Sequence, residues 1–90
     1  MTKALITVSG LDTTGIIARV ATSLSEMHIN ILEISQTILS GYFTMMMVVD
    51  LDGAHKDFAA INAELDAIRS DLGMEIHMQR MDLFDAMHRI

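Results

Sequence analysis

The residues best suited to chemistry cluster where one apolar run gives way to another. Asp12 offers a carboxylate that can receive an ammonium group. Thr13 and Thr14 offer hydroxyls, and Gly15, with no Cβ, lets a ligand or a backbone approach closely. At Ile16 a helical pattern begins. The N–H groups of a first helical turn carry partial positive charge and can hold a carboxylate or another small anion. Thr13 or Thr14 can also accept from those groups as a cap. Further along, Asn30-Ile31 follows the helix, and an Asn amide that both donates and accepts suits a zwitterion. Plainer readings stand beside these. Asp12 is equally at home stabilising a turn or a helix start, and Asn30 closing a helix-to-strand loop. Gln36 either reaches a ligand or partner or simply faces solvent.

Other chemistry is poorly supplied. Asp50-x-Asp52-Gly53 with His55 hints at a divalent cation. A calcium loop needs more ligands at set spacing, ending in a Glu, and none follows, so a solvated turn is expected and no metal site. His28, His55, His77 and His88 have no metal-ligand spacing and no obvious nucleophile to serve. No nucleophile elbow, phosphate loop or dinucleotide fingerprint occurs, so no catalytic residue and no cofactor is assigned. With no Cys, disulfides and thiolate chemistry are excluded. Twelve acids against six bases give a net charge of -6, which argues against nucleic acid and anionic membranes as partners. Met1-Thr2-Lys3 runs straight into a strand pattern, and no apolar run has the length of a membrane span, so a cytoplasmic location is expected.

The elements that must position these residues follow from periodicity. Residues 4–9 read as a buried strand ended by Gly10. A helix over 15–27 carries Ile16, Ile17, Val20, Ala21 and Leu24 as one stripe. A second strand over 29–39 places Leu32, Ile34 and Ile38 on one parity and Ile29, Ile31 and Leu39 on the other. Ser40-Gly41 makes a hairpin to a third strand, 42–49, with Phe43, Met45, Met47 and Val49 on one face and Tyr42, Met46 and Val48 on the other. A second helix over 56–72 shows a stripe of Phe58, Ile61, Leu65, Ile68 and Leu72, with Gly73 as its C-cap. The last strand is 74–81. Leu83, Phe84, Met87 and Ile90 mark an apolar tail over 83–90 that suits one or two helical turns.

One domain over 1–82 is expected, of α+β class. The order βαββαβ gives a ferredoxin-like sandwich: a four-stranded antiparallel sheet in order 4-1-3-2 with both helices on one face. The second strand is then an edge, apolar on both parities. The expectation is a twofold homodimer with an isologous interface through residues 29–39.

With that order in place, Asp12-x-x-Gly15-Ile16 and Asn30-Ile31 resemble an ACT domain. Ile34-Ser35-Gln36-Thr37, Tyr42-Phe43-Thr44-Met45-Met46 and Phe84-Asp85-Ala86-Met87 narrow this to something similar to the stand-alone bacterial UPF0237 proteins. Those in turn look like the regulatory domain of formyltetrahydrofolate deformylase and like glycine-cleavage regulators. The resemblance implies a non-catalytic regulatory module that binds an amino acid or related metabolite at a dimer interface. On the matching positions it implies a site of Asp12, Thr13, Thr14, Gly15, Ile16, Asn30 and Ile31. One alternative is a pure dimerisation or protein-interaction module without a metabolite. A third reading, a small enzyme of acylphosphatase-like fold, needs a basic residue at the turn, and the nearest is Arg19, a turn inside the helix.

Overall fold

Packing of two amphipathic helices on one side of a sheet organises the chain. The structure is a computed structural model that describes residues 2–81. The expected tail over 83–90 lies outside the described residues, as do Met1 and Asp82. Six elements run in the order β1 (Lys3–Leu11), α1 (Ile16–Glu26), β2 (Asn30–Leu39), β3 (Tyr42–Asp50), α2 (Phe58–Leu72) and β4 (Glu75–Arg80). The sheet order is β2-β3-β1-β4, with every neighbouring pair antiparallel. This is the 4-1-3-2 order and the ferredoxin-like architecture expected from the sequence.

The core sits between the sheet and the helices. Ala4, Ile6 and Val8 of β1, Phe43, Met45, Met47 and Val49 of β3, and Ile76 and Met78 of β4 supply its floor. Ile16, Val20 and Leu24 close it from α1, and Ile61, Leu65 and Ile68 from α2. Phe58 and Leu72 extend the α2 stripe at its edges. Methionine fills much of this volume, and its unbranched side chain packs the irregular gaps that so few aromatics leave.

Three local expectations are corrected. Gly10 does not end β1, which continues through Leu11 with Gly10 opposite Phe43. A Cβ at Gly10 would stand 2.6 Å from the Met74 sulfur, the end of a flexible side chain that can shift, while the backbone there, at φ 157°, favours glycine within the strand. Ile17, placed in the α1 stripe by spacing, is 40% exposed because the helix presents only its neighbours to the sheet. Strict alternation also fails in β2, where the register shifts between Ile31 and Glu33. That bulge puts Ile31, Ile34 and Ile38 opposite Val49, Met47 and Phe43, all on the helix-bearing side.

The loops are pinned by local bonds. Asp57 caps α2 by accepting from the Ala60 N–H at 2.9 Å, and Gly73 ends it in the left-handed region at φ 66°. The Thr2 N–H donates to the Asp52 carboxylate at 2.9 Å, which holds that carboxyl below its ordinary range.

Candidate functional site

The turn between β1 and α1 is tied at both ends and open between them. The Asp12 N–H donates to the Gly41 carbonyl at 2.9 Å, which joins the turn to the β2–β3 hairpin. Ile16 is 2% exposed and anchors the start of α1 in the core. Asp12, Thr13, Thr14 and Gly15 are all exposed. The expected threonine cap is absent: Gly15 is the N-cap, at φ 87°, and no side chain bonds the first turn. A left-handed residue immediately before the helix turns Thr13 and Thr14 off the axis, so the first-turn N–H groups face outward without a side-chain acceptor.

Gly15 is needed for its backbone. A Cβ there meets nothing within 4 Å, so no neighbour forbids a side chain and the space in front of the helix is free. The left-handed conformation costs an L-residue about 1–2 kcal/mol. Gly15→Ala is therefore expected to lower the melting temperature by about 4–16 °C, at roughly 4–8 °C per kcal/mol for a domain of this size. Differential scanning calorimetry checks it; an unchanged Tm would mean the turn adopts φ below zero.

The two halves of the expected site do not meet within one chain. β1 and β2 both run antiparallel to β3, so they are parallel, and α1 carries the chain back along the whole sheet. Asn30 therefore stands beside Asp50, in the row of Lys3, while Asp12 follows Leu11 at the far end. Eight residues of strand at ~3.3 Å each separate those rows, on the order of 25 Å. Ile31 is half-buried on the core, and Gln36 sits opposite Met45 on the exposed rim of β2.

Asn30 has its own surroundings. It borders an open concavity of about 450 Å³ with Ala21, Ser25, His28 and Ile29. His28 takes a left-handed conformation at φ 59° and stacks on His55, ring centroids 3.8 Å apart and 24° from parallel. The sequence reading missed Ser25 and His28 as lining residues. The signal was their place five and two residues before Asn30, where a histidine with no partner in sequence reads as mere surface.

Among the described residues no group of three or more His, Asp or Glu side chains can hold a metal ion. The Arg19 guanidinium, which the acylphosphatase-like reading would need at the turn, instead donates to Asp71 on α2 at 2.8 Å. No helix among the described residues is long and apolar enough to cross a membrane. The edge strand β2 leaves Leu32, Ile34 and Ile38 exposed at 38%, 51% and 57%.

Comparison with known proteins supports the fold and gives the family. The chain is 54% identical over 90 residues to a UPF0237 protein of Bifidobacterium longum, covering 100% of both chains. An ACT domain protein from Streptococcus pneumoniae superposes with a TM-score of 0.81 at 42% identity, over 92% of this chain and 93% of that one. A formyltetrahydrofolate deformylase from Pseudomonas syringae shares the fold, with a TM-score of 0.83 at 22% identity over 89% of this chain and 28% of that chain. A family model described as an ACT domain matches residues 2–79, and the chain belongs to that family, within its UPF0237 group.

Proposed function

We propose that this protein is a non-catalytic regulatory module that senses an amino acid or a related small metabolite between two copies of itself. The observation that carries the reading is the position of the two half-sites at opposite ends of one apolar edge strand. Antiparallel pairing of β2 with β2 of a second copy, about an axis near Ile34 and Ser35, sets Asn30 opposite Leu39 of the partner subunit. The Asp12 turn of the partner subunit lies at that same end of the sheet, about two strand spacings (~10 Å) from that residue, held there by the bond of Asp12 to the hairpin at Gly41. Two equivalent sites result, each with one half from each subunit.

The chemistry of each site suits a zwitterion. The uncapped first-turn N–H groups of α1 take the carboxylate, in front of the open space at Gly15. Asp12 and the Asn30 side-chain oxygen take the ammonium. A thermal-shift screen of the twenty amino acids tests this. At a hundred times its dissociation constant a true ligand adds about 2.7 kcal/mol, or on the order of 10–20 °C in Tm. A screen with no shift above that of glycerol, at intact dimer mass, would favour the second reading: the exposed edge of β2 then serves only to join subunits or dock on an enzyme.

A further inference from the structure

Among the described residues, Leu11 and Leu39 are the most exposed of the large apolar side chains, at 73% each, and Tyr42 is 55% exposed. The register sets these three in one row, Leu11 opposite Tyr42 and Tyr42 opposite Leu39. Their neighbours Gly10, Phe43 and Ile38 form the adjoining row on the helix side, so this row faces away from the helices. Neighbouring strands lie ~4.8 Å apart, which makes the row a shelf about 10 Å across. The next row on the same face is Ser9, Thr44 and Thr37, three hydroxyls that bound the shelf along the strands. A sheet end that met only water would carry polar residues on the shelf as well. On its other side the shelf runs into the candidate site. Leu11 is followed directly by Asp12, and Tyr42 directly follows Gly41, whose carbonyl accepts from the Asp12 N–H at 2.9 Å. Three side chains fall far short of the roughly 20–30 residues a side of a stable protein interface, and they match one small molecule.

We propose that the ligand is an amino acid with a large apolar side chain, branched or aromatic, and that this side chain lies on Leu11, Tyr42 and Leu39. The assignment rests on the two-subunit ligand site proposed above and adds the part of it that selects among amino acids. In that pairing Asn30 of the partner subunit stands opposite Leu39, so the shelf occupies the interval between the two polar halves. Asp12, Asn30 and the first turn of α1 recognise the zwitterion, which every amino acid shares. Discrimination therefore falls to the side chain, and the shelf favours apolar area. Each methylene it takes from water tightens binding about fourfold. A charged side chain would lose water there and find no partner in the row. The Tyr42 ring adds a surface on which an aromatic side chain can stack.

Isothermal titration of the full chain with glycine, L-alanine, L-leucine and L-phenylalanine tests the proposal. Leucine and phenylalanine are expected to bind at least roughly tenfold more tightly than alanine. Leu11→Ser together with Tyr42→Ser should bring leucine and alanine to within about threefold of each other. That variant should keep its fold and parent mass, because both side chains lie off the β2 edge and outside the buried core. Met46→Ser, on the same sheet face beyond the hydroxyl row, should leave the affinities as in the parent. A second readout needs no substitution. Tyr42 is the chain's one tyrosine and there is no tryptophan, so tyrosine emission reports on the shelf alone, and saturation with L-leucine should change it. Equal affinities for alanine and leucine would overturn the apolar side chain while leaving the zwitterion site standing. Parent-like preference for leucine in the double variant, or unchanged tyrosine emission at saturation, would do the same. Failure of all four amino acids to bind would overturn the shelf and the zwitterion site together.

Discussion

Ile34→Asp together with Ile38→Asp is expected to turn a particle of about 20 kDa, twice the 10.0 kDa chain, into a 10.0 kDa monomer. Both side chains lie on the β2 edge, 51% and 57% exposed in one chain, so half of each remains to be buried by a partner. Full burial of such a side chain is worth about 1.5–3 kcal/mol, so each half contributes about 1 kcal/mol. A twofold interface uses each residue twice, and the pair of substitutions therefore removes about 4 kcal/mol, roughly a thousandfold in dissociation constant. Four carboxylates brought together across the axis add repulsion. The fold should survive, since neither residue belongs to the buried core and exposed substitutions change stability little. Light scattering at micromolar concentration reads the mass, and Ala63→Asp on α2 serves as the control that stays dimeric. A double variant that keeps the parent mass would place the interface away from β2.

The value of that edge was legible in the sequence, and its geometry was not. Apolar residues on both parities of 29–39 signal a strand that is not finished by its own sheet. The bulge at Leu32, however, leaves no mark in composition, and it alone puts Ile31, Ile34 and Ile38 on one side. Gly10 shows a similar limit. A glycine after a β-branched run reads as a strand end, and only the backbone conformation at Gly10, with Met74 packed close by, shows why glycine stands inside the strand. The α2 stripe was read correctly because three- and four-residue spacing leaves few alternatives. Asp57 was not read as its cap, because the spacing also allowed the helix to begin at Lys56. At the site, Asp12, Gly15 and Asn30 stood out by type. Their distance apart follows from topology: a crossover between parallel strands separates whatever lies at its two ends by the length of the sheet.

That separation makes complementation between subunits the sharpest test of the site. Asp12→Ala and Asn30→Ala homodimers should each fail to bind the amino acid that most raises the parent Tm, because both sites in each lack one half. Mixing the two variants gives a heterodimer in which the sites differ. One site joins the intact Asp12 of the Asn30→Ala chain to the intact Asn30 of the Asp12→Ala chain. The other has lost both groups. Isothermal titration of a tagged and purified heterodimer should thus recover parent affinity at one ligand per dimer, half the parent stoichiometry. Each lost group leaves a charged partner of the ligand unpaired in a closing interface, a cost of about 1.5–3 kcal/mol, so the homodimers should bind roughly ten- to a hundredfold more weakly. Neither residue is buried in one chain, so both variants should fold and pair normally. A site contained within a single chain predicts the opposite result, since every chain in the mixture then carries a defect and no mixing restores binding.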